Sequence, residues 1–312
     1  MANVLVTGGA GFIGSHLATR FVETGHHVRV LDDFSSGLRE NLAHLNGKVD
    51  LHEADMCDPQ VCLNACDDIE FVFHQAAIPS VPKSVEQPRA SHDANITGTF
   101  NLLDASVRCK VRRFIYAASS SAYGDVDVSP KHEGLKPEPL SPYAVQKLAG
   151  EQYAKAFFEC YGLETLSLRY FNVFGPRQNP KSQYAAAIAA FVSAILRGQP
   201  PTIYGDGEAT RDFSYIENSV HANELAMGMA KTSGQSINIA CGGQISVNHT
   251  IDEINRLLGT DIRARHLDER PGDIKHSCAD IRLAKEILGY EPVVSFEEGL
   301  TRTIDYYRSI AE

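Results

Sequence analysis

Two periodicities alternate along the first half of the chain. Short apolar, β-branched runs fall at Asn3–Thr7, His27–Leu31, Val49–Glu53, Glu70–His74, Arg113–Ala118 and Thr165–Phe171. Between them, helical spacing of apolar residues occupies Gly11–Thr24, Pro88–Arg108 and Ser141–Tyr161. Strands joined by helices must pair in parallel through right-handed crossovers. The pattern therefore predicts an α/β fold, a Rossmann-type doubly wound parallel sheet covered on both faces.

After Phe171 the texture changes. Gly175-Pro176-Arg177-Gln178-Asn179-Pro180 reads as a loop, and an Ala-rich helix is predicted near Tyr184–Arg197. Pro200-Pro201 and the turn Gly205-Asp206-Gly207 lead into shorter mixed elements, without long linkers, repeats or low-complexity tracts. The reading is a dinucleotide-binding unit over 1–175 and a smaller C-terminal α/β substrate domain over 176–312. A helix and strand within about 218–241 are predicted to return to the first unit.

Composition narrows the function classes. With 43% hydrophobic and 22% charged residues, the 312-residue chain is ordinary for a soluble globular protein. No apolar run approaches the roughly 20 residues that span a bilayer, and the N-terminus lacks a signal-peptide pattern. Cytoplasmic location, with no membrane partner, is the expectation. A formal charge of −10 argues against a nucleic-acid partner, yet a few placed arginines can still bind a small anion. Seven cysteines without paired spacing read as reduced thiols. Cys57, Cys62 and Cys66 lack the spacing of a metal site, so no metal is expected.

The run Val4-Leu-Val-Thr-Gly8-Gly-Ala-Gly11-Phe12-Ile13-Gly14 places glycines between a strand and a helix. Glycine there permits a tight turn, close approach of a pyrophosphate to backbone, and close helix–strand packing. The unpaired N–H groups that open the helix point at the phosphates. Asp32 and Asp33 end the second strand, Asp32 standing 18 residues past Gly14. A carboxylate there accepts from a ribose diol and repels a 2′-phosphate, which favours NAD over NADP. Asp55-Met56 after the third strand and Gln75-Ala76-Ala77 after the fourth fit the same cradle.

Tyr143 and Lys147 lie four apart, on one helical face. A phenol titrates near ~10, too high for a base at neutral pH. A nearby ammonium and a nicotinamide cation would lower it and make a general acid–base pair. Alone, such a pair reads as an exposed amphipathic face. Here it follows Ser119-Ser120-Ser121 at the end of the fifth strand.

Together these motifs resemble those of extended short-chain dehydrogenases/reductases: the glycine run, the serine run and Tyr143-x-x-x-Lys147. The resemblance continues through Arg169-Tyr-Phe-Asn172-Val-Phe-Gly175, Arg211-Asp-Phe and Arg270-Pro-Gly-Asp273, across essentially the whole chain. The pattern is similar to UDP-hexose 4-epimerases, particularly those that accept UDP-N-acetylglucosamine. By that resemblance Ser119, Tyr143 and Lys147 are catalytic, Tyr143 as base. NAD would be held by Gly8, Gly11, Phe12, Ile13, Gly14, Asp32, Asp33, Ser36, Gly37, Asp55, Met56, Gln75, Ala76, Ala77, Tyr143, Lys147 and Tyr170. The UDP-sugar would be held by Ser80, Ser120, Ser121, Asn172, Gln178, Tyr204, Arg211, Arg270, Asp273 and Ser277. The two arginines would neutralise the diphosphate.

The resemblance implies C4 inversion through a transient 4-keto sugar, without net oxidation. Sugar 4,6-dehydratases carry Thr-Asp-Glu where this chain has Ser119-Ser120-Ser121, so dehydration is disfavoured. UDP-glucuronate 4-epimerases and decarboxylases share the scaffold and stay open, as does a non-catalytic NAD-binding regulator. Ser277 occupies a position where a small residue admits an N-acetyl group and a tyrosine restricts the pocket. Pro79 stands where some acetyl-sugar specialists carry glycine. A homodimer through the helices at Pro88–Arg108 and Ser141–Tyr161 is the implied assembly.

Overall fold

The computed structural model describes residues 1–180, 187–269 and 275–311. The first six strands are β1 (Asn3–Thr7), β2 (His27–Asp32), β3 (Val49–Glu53), β4 (Phe71–His74), β5 (Arg113–Ser119) and β6 (Glu164–Tyr170). Then follow β7 (Val173–Phe174), β8 (Thr202–Tyr204), β9 (Thr210–Arg211), β10 (Ser214–Tyr215), β11 (Ser236–Ile239), β12 (Ile245–Ser246), β13 (Arg265–Leu267) and β14 (His276–Ser277). Among the described residues, seven strands form one sheet in the order β11-β6-β5-β4-β1-β2-β3, every neighbouring pair parallel.

Burial shows why these segments are strands. All four residues of β4 are buried, and β5 is buried from Arg113 to Ala118, as parallel strands covered on both faces must be. Strand β3 is mostly exposed, as suits an edge. Order reverses between β4 and β1, which opens a crevice outside the carboxyl ends of those strands.

Helices in the first half are α1 (Phe12–Glu23), α2 (Pro59–Cys66), α3 (Val81–Glu86), α4 (Pro88–His92), α5 (Gly98–Arg108) and α6 (Pro142–Tyr161). The single helix expected over Pro88–Arg108 is α4 and α5 joined by a π-helical turn at Asp93–Thr97. Asn95 in that turn receives the Ile78 N–H at 2.8 Å and donates to Gln146 of α6 at 2.8 Å. The turn thus fastens the loop after β4 to the helix that carries Tyr143. Helices α2 and α3 were not anticipated, although each opens on a capping side chain, Asp58 or Ser80, with proline in the first turn.

In the second half, α7 (Ala187–Leu196), α8 (Ile216–Gly228), α9 (Val247–Leu258), α10 (Arg282–Leu288) and α11 (Phe296–Ala311) alternate with strands of two to four residues. The helix expected over Tyr184–Arg197 is described only from Ala187. Strand β11 extends the main sheet beyond β6, and α8 packs on α1. One apolar core runs through both halves, joining Val4, Val6 and Leu17 to Ile188, Ile254, Leu300 and Ile304. No described helix is long and apolar enough to cross a membrane.

Candidate active site

Each glycine of the first turn has its own task. Gly8 has φ +66°, and a Cβ there would stand 2.7 Å from the Ala76 backbone. Its absence lets the turn close on the loop after β4. At Gly14 a Cβ would lie 2.1 Å from the Gly8 carbonyl oxygen, so α1 can pack on the turn only through glycine. Gly11 differs, since its Cβ would meet only the Gly8 oxygen, at 3.1 Å. Gly11 is also the N-cap of α1, and it caps with no side chain. The helix therefore presents unspent N–H groups, the donors a pyrophosphate needs. Phe12 and Ile13 open the helix and pack against the core.

Along the crevice, Asp32 is buried and spends its carboxylate on backbone. Oδ2 accepts from Ala10 N and Oδ1 from Phe34 N, both at 2.8 Å. Burial pushes its carboxyl above the usual range, while the two N–H bonds work against that. Gly37 lies over it, where a Cβ would come 2.9 Å from Asp32 Oδ1. Asp32 thus shapes the 34–37 loop, leaving its remaining lone pairs for a diol. Asp33, Ser36 and Asp55 are exposed at the rim. Met56 turns its side chain inward, filling the space over Gly98, so only its backbone can line a ligand.

Ala76 and Ala77 follow β4 half-buried. The Gln75 carboxamide is buried beside the Tyr170 phenol, with no hydrogen bond of proper geometry to either of its atoms. Tyr170 itself accepts from Asn223 Nδ2 at 2.7 Å. An unspent buried amide, an uncapped helix start and a Gly11 without side chain together fit NAD.

Ser119 ends β5, and Tyr143 and Lys147 lie one turn apart on α6. Ser141 caps that helix, accepting from Ala144 N at 3.2 Å, and Ser84 accepts from Tyr143 N at 3.0 Å. The Ser119 hydroxyl stands beside the Tyr143 phenol. Ser119 Oγ also accepts from Ser121 N at 3.2 Å and Ser121 Oγ at 2.9 Å. With both lone pairs taken, Ser119 has its own proton left for the phenol oxygen.

Burial raises the phenol above its ordinary value, and Ser119 opposes that rise. The ammonium expected to lower it instead donates to Ala117 O at 2.9 Å, 5.1 Å from the Tyr116 ring centroid. Burial draws Lys147 down to about 8, against the pull of Glu151 one turn on. In the protein alone the phenol is thus held protonated.

Three of the residues expected to hold the sugar nucleotide, Asn172, Arg211 and Ser277, come together through short strand pairings. Pairing of β10 with β7 places Ser214 opposite Val173, next to Asn172, and pairing of β14 with β9 places Ser277 opposite Arg211. Asn172 has φ +30° and donates from Nδ2 to Asp212 O at 3.3 Å. Arg211 Nη1 donates to the carbonyls of Thr210 and Lys275, at 2.9 and 3.2 Å. Ser120 and Ser121 form a helical turn beside Ser119.

Other assigned residues stand further from this cluster or are already engaged. Ser80 caps α3, accepting from Lys83 N at 3.2 Å. Gln178 donates to Val173 O at 3.1 Å. Tyr204 lies on β8, which pairs with β13. Arg270 and Asp273 lie outside the described residues.

Several site-building residues escaped sequence reasoning. Asn95 and Gln146 tie the Tyr143 helix to the loop after β4, and Asp212 gathers backbone N–H groups from two loops. Arg177 and His16 pin the loop after β7 to α1, Arg177 donating to Ser15 O at 3.2 Å and His16 bonding to Pro176 O at 3.0 Å. Gln146, Asp212 and Arg177 sat inside recognisable motifs, each beside a residue that drew attention first.

A dinucleotide cradle and a half-buried Ser–Tyr–Lys centre lie at the carboxyl ends of one sheet's strands, which defines a Rossmann enzyme equipped to move a proton at a substrate hydroxyl. The chain belongs to the NAD dependent epimerase/dehydratase family, whose profile matches residues 4–240. It is an NAD-dependent enzyme of the epimerase type.

Among solved structures it is similar to the UDP-N-acetylglucosamine 4-epimerase of Methanobrevibacter ruminantium in complex with UDP-N-acetylmuramic acid. The two are 41% identical, cover 99% of each chain and superpose with a TM-score of 0.95. It is also similar to the UDP-glucose 4-epimerase of Thermotoga maritima with UDP-glucose, at 39% identity, 99% and 100% coverage and a TM-score of 0.95. A more distant neighbour is the UDP-glucuronic acid 4-epimerase of Bacillus cereus in complex with UDP-glucuronic acid and NAD. That pair is 33% identical over 99% of each chain, with a TM-score of 0.91.

Proposed function

We propose that this protein interconverts UDP-N-acetylglucosamine with UDP-N-acetylgalactosamine, and UDP-glucose with UDP-galactose, by inverting C4. The observation that carries the reading is Ser119 at the end of β5 beside the Tyr143 phenol, with Lys147 one turn further along α6. Bound NAD⁺ supplies the hydride acceptor, and then the donor, at C4. Gly11 and the open end of α1 hold its pyrophosphate, and Asp32 its adenosine ribose.

Tyr143 takes the proton of the 4-hydroxyl and later returns it. Ser119 fixes the phenol oxygen where that hydroxyl must arrive. The Lys147 ammonium, one turn away, favours the phenolate once the nicotinamide cation adds its charge. Arg211 and Asn172 hold the diphosphate, joined by Arg270, with Asp273 at the uridine ribose. No acid–base pair stands at Ser120 and Ser121 to carry protons for elimination.

Ser277 supports the acetyl-sugar substrate. It is a small, buried residue directly opposite Arg211, where a tyrosine would fill space beside the sugar. The Bacillus cereus neighbour favours a second reading, in which UDP-glucuronate is the substrate. We read residues 1–175 with the α8–β11 return as the NAD-holding unit, and the remainder as the sugar-nucleotide lobe. A two-fold dimer through α5 and α6 fits the exposed Phe100, Val145, Tyr153 and Tyr161 on those helices.

Proton NMR of the protein with UDP-GlcNAc, UDP-Glc or UDP-glucuronate, without added reductant, tests the reading. Galacto signals from the first two support it. Conversion of the uronate alone replaces it with the second reading, and no conversion of any sugar overturns both.

A further inference from the structure

The carboxylate of Asp212 is fully buried between β9 and β10. Oδ1 accepts from Cys241 N at 3.0 Å, and Oδ2 accepts from Gly242 N at 3.0 Å and Ala279 N at 3.1 Å. These donors come from two separate segments, the loop after β11 and the chain leaving β14. The residue's own carbonyl accepts from Asn172 Nδ2. Four segments of chain therefore meet on one residue. Three of them carry Asn172, Arg211 and Ser277, which the proposed function places around the sugar nucleotide.

Chemistry explains why an aspartate is needed there. An ionised carboxylate only accepts, so it can satisfy three converging N–H groups at once. An asparagine of the same shape would turn an NH₂ group against at least one of those donors. Among the described residues Asp212 has no ion-pair partner, so backbone dipoles carry its charge. The strands it joins are two residues long and cannot fix their own register through ladder bonds.

We propose that Asp212 is the positioning residue of the sugar-nucleotide site. It touches no ligand, and it sets the spacing between Arg211, Asn172 and Ser277 so that diphosphate and sugar are gripped together. The inference rests on the reading of those three residues as substrate contacts.

Two variants test it in the full chain loaded with NAD. Asp212→Asn keeps the shape and breaks the acceptor set. Ala279→Pro removes one donor, leaves the carboxylate in place, and serves if Asp212→Asn does not fold. Binding of UDP is read by titration calorimetry, beside kcat, KM and NAD affinity.

Positioning predicts that Asp212→Asn raises both the UDP dissociation constant and KM about tenfold or more, a tenfold change being about 1.4 kcal/mol. NAD affinity should hold, kcat should change less than KM, and Ala279→Pro should shift the same quantities less. A folded variant that only melts earlier, with UDP affinity and KM unchanged, overturns the proposal. So does a fall in kcat with UDP affinity intact. Arg211→Ala separates the two levels. If it leaves UDP binding unchanged, the substrate reading has failed; if it weakens UDP binding while both other variants bind normally, the Asp212 inference has failed.

Discussion

The half proposed to hold NAD and the half proposed to hold the sugar nucleotide are built by different means. In the first, ligand-facing groups are largely backbone, fixed by parallel strands of four to seven residues and by glycines that let turn, helix and loop touch. In the second, strands of two or three residues carry the side chains, and buried polar residues hold the pieces together. A topology-made site changes only when the fold changes. A site held by side chains can be retuned one residue at a time, which suits the part of an enzyme that chooses among related sugars.

Substitutions can break or sharpen that contrast. The largest expected effect is at the reaction centre: Tyr143→Phe should lower kcat by roughly 10²–10⁴-fold with NAD still bound, the range for losing a positioned acid–base group. Full turnover by a folded variant would remove Tyr143 from the mechanism.

Next come two glycines that look alike in sequence. Gly14→Ala drives a methyl into the Gly8 carbonyl, backbone against backbone, and should lower the melting temperature sharply or prevent folding. Gly11→Ala meets a single atom, the Gly8 carbonyl oxygen at 3.1 Å, a tight contact that a shift of a few tenths of an ångström relieves, so it should fold, yet weaken NAD by about tenfold or more. Equal losses of stability in the two variants would erase the distinction drawn between them.

Smaller effects follow from charge and size. Lys147 is a cation that burial draws down to about 8, so its ammonium is present below that pH and lost as pH rises through it. NAD affinity should accordingly decline above pH about 8, and Lys147→Met should flatten that decline. Ser277→Tyr should reduce turnover of UDP-GlcNAc relative to UDP-Glc by about tenfold, the scale of a steric change in a pocket. An unchanged ratio would move the specificity role elsewhere.

The same contrast explains what could be read from sequence. Strands β1 to β6 were legible because a doubly covered parallel strand must be a continuous apolar run. Gly8, Gly11 and Gly14 were legible because the turn between β1 and α1 imposes its spacing, and Tyr143 and Lys147 because helical period places them on one face. Which of the three glycines performs which task was not visible, since that depends on what each missing Cβ would strike.

Nor could periodicity reveal Asp212 or Asn95, whose value lies in hydrogen-bond partners distant in the chain. A lowering pull of Lys147 on Tyr143 was expected; burial instead raises the phenol, and the ammonium turns to Ala117. The helix expected over Pro88–Arg108 was interrupted by a π-helical turn that hydrophobic spacing does not encode.

The central claim is that Ser119, Tyr143 and Lys147 serve a closed oxidation and reduction at C4, with nothing exchanged with solvent at that carbon. UDP-glucose carrying deuterium at C4, incubated with the NAD-loaded protein and no other redox partner, tests it most directly. The account predicts UDP-galactose with the deuterium retained at C4. Recovery of unchanged UDP-glucose, or a galacto product whose C4 deuterium has washed out, would contradict it.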